Sequence, residues 1–268
     1  MKTETVFESI RPRYPELAGK TALVTGSSRG IGKGIALRLA REGMKVVITS
    51  RSADVVETTA DEFRAIGIDV CAVAADLSNE ADIDLLFERT LDAFGRIDIL
   101  VNNAADLRRY RVGDEPEGVV DYQLNANVRA PYVCSVRASE VMKGHGGGSI
   151  VNITSVGGMR AHFRGLPYDV CKGAMDSMTK SMSIDLCDYG IRVNAVGPGA
   201  TYNKGLVPER PGELPNAGRI PLKRRATPVE IGNAVAFLSS EDAAYIIGQI
   251  LYVDGGITTM LGTAEQHL

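Results

Sequence analysis

The sequence contains few cysteines and histidines, and their positions exclude the kinds of site that these residues usually build. The cysteines form no CxxC pair and lie in runs typical of strands or helices, which indicates reduced, buried thiols. The histidines are scattered too widely along the chain to predict a metal site. We therefore expect no disulfide framework, no bound metal and a cytoplasmic location. The residues concerned are Cys71, Cys134, Cys171 and Cys187, with His145, His162 and His267.

The sequence also lacks a long apolar run and a strong excess of either charge. No apolar segment reaches the length of a membrane span, and the N-terminal segment contains no apolar signal core. The net charge of −3 gives no indication of a nucleic-acid or acidic-lipid partner. Charged residues with Pro12 and Pro15 predict an N-terminal extension over residues 1–18. The hydrophobic fraction of 44% suffices for the core of one domain over residues 19–268.

Apolar, β-rich runs alternate with helical patterns along nearly the whole chain. This alternation predicts a single α/β domain of the doubly wound, Rossmann type, with a seven-stranded parallel sheet and helices on both faces. The longest irregular stretch, residues 200–227, is rich in proline and basic residues, and its length is typical of a lid or a binding segment. The strands are predicted at residues 21–26, 45–50, 68–77, 97–101, 147–155, 191–200 and 249–256. Helices are predicted up to Gly43 and at 53–65, 80–94, 119–142, 168–188 and 228–238.

A glycine-rich loop, TGSSRGIG, joins the first predicted strand to the first helix that follows it. Gly26, Gly30 and Gly32 permit a tight turn and a close approach of the backbone to a ligand. The helix N-terminus then offers free N–H groups and a partial positive charge to a diphosphate. The setting between strand and helix therefore predicts a dinucleotide-binding site.

The type of residue at the end of the second strand indicates which of the two nicotinamide cofactors is bound. An acidic residue there binds the ribose 2′-hydroxyl of NAD, whereas an arginine accepts the 2′-phosphate of NADP. Here Arg51 ends the strand, no acid occurs before Asp54, and Arg29 adds a second cation in the glycine loop. The sequence favours NADP(H); the alternative is that Arg51 is a solvated surface residue and NAD(H) is used.

Polar residues follow the third and fourth strands at the edge where ligands bind to open α/β sheets. Asp76 is placed to accept a hydrogen bond from an adenine amino group, and Asn102 with Asn103 follows the fourth strand. The alternative for these residues is ordinary turn chemistry.

Tyr168 and Lys172 are four residues apart, so on a helix their side chains lie on one face. A cation beside a phenol favours the phenolate, which makes the tyrosine usable as an acid or base near neutral pH. Ser155 lies at the end of the fifth predicted strand, where its hydroxyl can reach a substrate that the tyrosine also contacts. The spacing predicts a site for proton transfer, although an ordinary Tyr and Lys on a helix surface would give the same pattern.

Pro131 lies four residues after Asn127 inside a predicted helix. Because proline has no N–H, the carbonyl of residue 127 lacks its helical partner and the helix should be irregular there. A free buried carbonyl requires a water molecule. We expect a water between this carbonyl and Lys172, on a proton path out of the site; the alternative is a plain proline kink.

Together these residues resemble the short-chain dehydrogenase/reductase family, in its single-domain, tetramer-forming kind. The resemblance extends from about Leu17 to Gly256 and includes 3-oxoacyl carrier-protein reductases and sugar dehydrogenases. It rests on TGSSRGIG, Asp76-Leu77, NNAA at residues 102–105, Asn127, Ser155, YDVCK and VGPGAT, with a matching C-terminal third. Ala105 replaces the glycine that is usual in the family, and the first ~18 residues have no counterpart in its minimal unit.

The resemblance implies a catalytic tetrad of Asn127, Ser155, Tyr168 and Lys172. It implies that Lys172 also holds the nicotinamide ribose and that the backbone after Pro198 faces the nicotinamide amide. A homotetramer is implied as well, with the 119–142 and 168–188 helices paired across one interface. The complete set of expected cofactor contacts is Gly26, Ser28, Arg29, Gly30, Ile31, Gly32, Arg51, Asp76, Leu77, Asn103, Ala104, Tyr168, Lys172, Pro198, Gly199 and Thr201.

Three segments, 106–114, 157–167 and 201–221, should line the substrate pocket. They are polar and basic, which favours a polar or anionic small molecule; the alternative is that most of these cations face bulk water. We expect substrate contacts from Ser155, Tyr168, Arg160 and His162. The favoured function is an NADP(H)-dependent carbonyl reductase, the alternative is a sugar or polyol dehydrogenase running oxidatively, and a non-catalytic nucleotide-binding regulator is a third hypothesis.

Overall fold

The computed structural model describes residues 2–203, 205–206 and 219–260. Seven parallel strands form one sheet in the order β3-β2-β1-β4-β5-β6-β7, which confirms the predicted doubly wound topology. The strands are β1 (Thr21–Val24), β2 (Lys45–Ser50), β3 (Val70–Ala74), β4 (Ile99–Asn102), β5 (Gly148–Ile153), β6 (Ile191–Pro198) and β7 (Ile250–Val253).

The α-helices of the described residues cover both faces of the sheet. They are α1 (Thr3–Ser9), α2 (Gly30–Ala40), α3 (Ala53–Arg64), α4 (Glu80–Phe94), α5 (Val119–Leu124), α6 (Ala130–Lys143), α7 (Tyr168–Leu186) and α8 (Pro228–Ser239). The predicted elements are therefore present, with strand ends shorter than the apolar runs that predicted them. Gly95, at a φ of +73°, ends α4 in the left-handed conformation that glycine adopts without strain.

Alternate side chains of the central strand point into two hydrophobic cores. Ala22 and Val24 of β1 pack on one face with α2, α3 and α8, whereas Leu23 packs on the other with α4, α6 and α7. This alternation follows from the two-residue period of a strand, and burial on both faces explains why these strands are apolar throughout.

The N-terminal segment, predicted as an extension, packs against the domain. Val6, Ile10 and Leu17 are buried in the core that α2 and α8 also enter. The carboxylate of Glu42 accepts hydrogen bonds from the backbone N–H groups of Arg13 and Tyr14. The boundary predicted at residue 18 thus divides two parts of one hydrophobic core.

The predicted 119–142 helix is interrupted. A π-helical segment at Asn125–Arg129 separates α5 from α6, and the N–H of Ala130 bonds the carbonyl of Asn125. Pro131 follows at once, so the irregularity lies where the missing proline N–H predicts it. The structure thus has no straight helix at this point, and Asn127 is fully buried.

The described residues contain no helix that is both long and apolar enough to span a membrane. Within the same residues, no group of three His, Cys, Asp or Glu side chains is arranged to hold a metal ion. All four cysteines are free thiols, and Cys187 is exposed, so the prediction of buried thiols is wrong for that residue.

Candidate active site

The glycine loop lies at the carboxyl edge of the sheet between β1 and α2. A Cβ on Gly32 would stand 2.4 Å from the carbonyl oxygen of Gly26, and one on Gly26 would stand 2.8 Å from the Cα of Ala104. Side chains therefore do not fit at either position, and Gly26 also has a φ of +62°.

The N-terminus of α2 fits a cofactor diphosphate. The N-cap residue, Arg29, makes no side-chain capping bond, so the first-turn N–H groups of α2 keep their capacity to bind an anion. Ser28, Arg29 and Gly30 line a cavity of about 690 Å³ together with part of the N-terminal segment. The chain thus provides the close backbone approach and the donors that a dinucleotide needs.

The side chain of Asn103 holds the glycine loop. Its Nδ2 donates to the carbonyl oxygens of Thr25, at 2.8 Å, and Gly26, at 2.9 Å. Its backbone N–H and that of Ala104 donate to the hydroxyl of Thr25. Asn103 therefore orients the predicted cofactor loop through its side chain, while direct contact with the cofactor stays a prediction.

Asn102 and Asp76 both have protein partners. Asn102 ends β4, is 2% exposed, and donates through Nδ2 to Ser135 and Asn152, which is a structural role inside the core. Oδ1 of Asp76 accepts from the N–H and hydroxyl of Ser78, which is the turn chemistry expected as the alternative. The predicted bond from Asp76 to adenine would have to coexist with this turn.

The two cations expected at the adenosine end are exposed. Arg51 follows β2, and its Nη1 donates to the hydroxyl of Tyr122 at 2.8 Å. Arg29 is exposed at the N-cap of α2. Both lie at the carboxyl edge of the sheet, on the side of the glycine loop, as the sequence predicts.

Ser155, Tyr168 and Lys172 meet at the carboxyl edge of the sheet, the edge at which the glycine loop also lies. Tyr168 opens α7, so Lys172 lies one turn later on the same face, with its Nζ 5.6 Å from the centroid of the tyrosine ring. All three residues are at most 5% exposed. Ser155 follows β5, where its hydroxyl oxygen accepts from the N–H of Gly157 at 3.0 Å.

Burial governs the protonation of this cluster. It lowers the pKa of Lys172 to about 8, because the Nζ, which donates to the carbonyl of Ile153 at 2.8 Å, is removed from water. Burial raises the pKa of the Tyr168 phenol, and the Ser155 hydroxyl and the Arg109 guanidinium partly offset it. The prediction that Lys172 holds the pKa of Tyr168 down is therefore wrong for the cofactor-free protein.

The predicted tetrad residue Asn127 lies in the π-helical segment. Its Oδ1 accepts from the N–H of Asp106 at 2.7 Å, and its Nδ2 donates to the carbonyl of Asp106 at 2.9 Å. Asn127 thus fixes the start of the loop that follows β4. The expected water at its own carbonyl stays a prediction.

The basic residues expected at the pocket mouth have different partners. Arg108 forms an ion pair with Asp106, and Arg111 lies over the ring of Phe163. The guanidinium of Arg109 lies over the ring of Tyr168, with Cζ 4.6 Å from the ring centroid. The sequence places Arg109 among several pocket cations but gives no signal for this contact, since the two residues are far apart in the chain.

Of the two further substrate contacts expected, one lies beside the tyrosine. The ring of His162 is 6.5 Å from that of Tyr168, and its Nδ1 is 2.7 Å from a carboxylate oxygen of Asp169. Arg160 instead donates to the carbonyl of Met260 at 3.4 Å, so its side chain contacts the C-terminal segment.

The segment after β6 reaches the same edge of the sheet. Pro198 ends the strand, the N–H of Gly199 donates to the carbonyl of Val253, and Thr201 forms an isolated bridge with Ala226. These residues lie where contacts with the cofactor are expected. Of the segment 200–227 predicted as a lid, residues 204 and 207–218 fall outside the described residues.

Comparison with known proteins gives consistent relatives over nearly the whole chain. A family model described as Enoyl-(Acyl carrier protein) reductase matches residues 26–258. A 3-oxoacyl-[acyl-carrier-protein] reductase of Synechocystis sp. is 38% identical, covering 90% of this chain and 98% of the relative. Glucose 1-dehydrogenase 2 of Bacillus subtilis is 34% identical, covering 91% and 97%. The crystal structure of a putative gluconate dehydrogenase from Agrobacterium tumefaciens is 36% identical, with a TM-score of 0.84 over 91% of this chain and 98% of that one.

Proposed function

Because this chain belongs to the short-chain dehydrogenase/reductase family, we propose that it is an NADP(H)-dependent oxidoreductase that interconverts a carbonyl and a secondary alcohol on a polar or anionic substrate. The observation that supports this most directly is the buried cluster of Ser155, Tyr168 and Lys172 at the carboxyl edge of the sheet. Nicotinamide-dependent interconversion of carbonyls and alcohols is the chemistry of this family.

A nicotinamide cofactor held at this site would supply hydride-transfer chemistry at the reacting carbon. In the reductive direction the Ser155 hydroxyl donates a hydrogen bond to the carbonyl oxygen, and the Tyr168 hydroxyl donates the proton that this oxygen acquires. In the oxidative direction Tyr168 accepts that proton. Lys172 holds the cofactor ribose, and a water at the carbonyl of Asn127 returns the proton to the site.

The cofactor preference rests on two exposed cations and the absence of an acid at the end of β2. Arg51 and Arg29 are exposed and offer guanidinium groups to a 2′-phosphate. A planar guanidinium can bind a phosphate through two parallel hydrogen bonds. We therefore propose NADP(H) as the cofactor, with NAD(H) as the alternative.

Titration of the purified protein with NADPH and NADH, followed by nucleotide fluorescence, tests this preference. We expect tighter binding of NADPH than of NADH. We expect Arg51→Gln to weaken NADPH binding roughly 10–100-fold, which is the usual contribution of hydrogen bonds to a charged group, and to change NADH binding little. The matched control is Arg64→Gln, an exposed arginine of α3 that pairs with Glu57 and Asp61. Equal or tighter binding of NADH by the wild type would contradict the proposal.

The basic loops that adjoin Tyr168 support the proposal of a polar or anionic substrate. Two of the relatives are named for glucose or gluconate, which supports the alternative of a sugar, polyol or sugar-acid dehydrogenase running oxidatively. A third is named as a 3-oxoacyl-[acyl-carrier-protein] reductase, which supports the reductive reading. The regulatory hypothesis has less support, because Ser155, Tyr168 and Lys172, which suit proton transfer, lie together at one site.

We propose a homotetramer as the assembly. Large apolar side chains are exposed on α5, α6 and α7, a concentration that a monomer rarely leaves in water. Light scattering during size exclusion should give four times the 28.7 kDa chain mass, and the mass of a single chain would contradict this. A cytoplasmic location stays a prediction that cell fractionation tests. The exposed apolar side chains that support a tetramer are Val120, Leu124, Tyr132, Val170 and Ile184.

A further inference from the structure

Arg109 differs from the other cations at the mouth of the site in what it contacts. Arg108 is neutralised by its ion pair with Asp106, and Arg111 and Arg164 lie over the exposed ring of Phe163. Arg109 lies over the ring of Tyr168, and within the described residues it forms no ion pair with a carboxylate. An exposed guanidinium therefore stands against the side chain that transfers the proton, with its charge uncompensated there.

The position of Arg109 is set by the backbone on both sides of it. The carbonyl of Arg108 accepts from Nε2 of Gln123 at 2.7 Å, and the N–H of Tyr110 donates to the carbonyl of Leu166 at 2.6 Å. The side chain of Asn127 holds the backbone of Asp106 by two further bonds. The loop is thus pinned to α5, to the π-helical segment and to the segment before α7, which directs Arg109 toward Tyr168.

A substrate bound at the Tyr168 hydroxyl lies close to this guanidinium, because Arg109 covers the ring that carries the hydroxyl. Tyr168 is 5% exposed, so only a small part of it is open to a ligand, and Cζ of Arg109 is 4.6 Å from the ring centroid. A guanidinium presents its N–H donors in a planar fork that matches the two oxygens of a carboxylate. A carboxylate a few bonds from the reacting carbon would meet this fork while the hydroxyl or carbonyl oxygen meets Ser155 and Tyr168.

We propose that Arg109 is a specificity-determining residue that binds the carboxylate of a hydroxy acid, or of the corresponding oxo acid, during the reaction. This inference rests on the proposed function and adds to it the class of substrate and the group that selects it. A neutral alcohol has no carboxylate, so it cannot form the charge-assisted hydrogen bonds to Arg109 that the acid forms. The acid is therefore favoured through binding near the reacting carbon.

The test compares three acids with neutral alcohols in which CH₂OH replaces the carboxylate. The pairs are gluconate with sorbitol, lactate with propane-1,2-diol, and 3-hydroxybutyrate with butane-1,3-diol. Binding to the NADP⁺ complex is measured by calorimetry, and kcat and KM are measured for each compound that reacts. For at least one pair we expect the wild type to bind the acid more tightly than its neutral counterpart.

Arg109→Gln should weaken binding of that acid roughly 10–100-fold, through loss of charge-assisted hydrogen bonds, and raise its KM. Binding of the neutral counterpart should change less than about twofold, and Arg109→Lys, which keeps the charge but loses the planar fork, should lie between. Arg64→Gln, which changes an exposed arginine of α3 outside the three pocket segments, is the matched control and should behave as the wild type. Unchanged NADPH binding by Arg109→Gln shows that the variant is folded.

Two results would overturn the inference: no acid preferred over its neutral counterpart by the wild type, or equal effects of Arg109→Gln on the acid and the alcohol. Failure of the proposed function is a separate result, because it would show as absent cofactor binding or as unchanged turnover after loss of the Tyr168 hydroxyl. Neither of those measurements involves Arg109.

Discussion

Replacement of Tyr168 by phenylalanine should reduce kcat roughly 10²–10⁴-fold or more, the contribution of a positioned acid or base, while NADPH still binds. The phenol is the proton donor of the proposed reaction, and the substitution removes one oxygen from a side chain that is 5% exposed. The ring keeps its packing against His162 and Arg109, so the site should retain its shape. Initial rates with the best substrate and nucleotide fluorescence titration measure the two quantities.

Tyr245→Phe is the matched control for this substitution. Tyr245 is fully exposed after α8, so loss of its hydroxyl should leave both kcat and cofactor binding unchanged. Near-normal turnover by Tyr168→Phe would refute the assignment of this residue as acid and base. Loss of NADPH binding along with turnover would instead mean that the hydroxyl is needed to form the cofactor site.

Replacement of Lys172 by methionine should lower kcat at least roughly 100-fold, the usual cost of removing one preorganised charge from an active site. The same variant should also change how stability depends on pH. The pKa of Lys172 is about 8 in the folded protein and 10.5 when the side chain is solvated, because burial disfavours its charged form. Methionine keeps the unbranched apolar stem and removes the titrating group.

The sign of the pH effect follows from proton counting. Between pH 8 and 10.5 the unfolded chain binds more protons at Lys172 than the folded one, so the free energy of unfolding rises with pH. The limiting slope is ~1.4 kcal/mol per pH unit, and this contribution is lost as the pH falls to about 8. Urea unfolding of the cofactor-free wild type and Lys172→Met, from pH 7 to 10, isolates the difference between them.

Lys180→Met provides the control for Lys172. Lys180 is exposed on the same helix, α7, so its removal should preserve both the activity and the pH dependence of the wild type. Parallel stability curves for the wild type and Lys172→Met would show that Lys172 is not held with a lowered pKa. Retained activity in Lys172→Met would contradict its role at the cofactor ribose.

Local patterns predicted most of the fold and much of the candidate site. The strand at Lys45–Ser50 and the helix at Glu80–Phe94 have the bounds that their apolar patterns and flanking residues predict. Pro131 predicted an irregular helix before it, and a π-helical segment is found there. Such features depend on the spacing of apolar residues along a helix or strand, or on one missing N–H. Both can be identified from residues that are close together in the sequence.

Several residue roles were not predictable in this way. Asn102 and Asn103 are adjacent in sequence, yet one bonds Ser135 and Asn152 inside the core and the other holds the glycine loop. Burial raises the pKa of Tyr168, and Ser155 and Arg109 partly offset this increase. The spacing of Tyr168 and Lys172 had instead predicted that Lys172 lowers this pKa. Partners contributed by different strands and loops decide such matters, and their distances are set only when the chain has folded.

The sequence by itself determined the doubly wound sheet, the glycine loop at the start of α2 and the shared helix face of Tyr168 and Lys172, because each follows from local spacing. Tertiary structure alone decided that the N-terminal segment enters the hydrophobic core and that Arg109 lies over Tyr168. Those contacts join residues distant in sequence, and their formation depends on burial and loop anchoring that no local periodicity encodes.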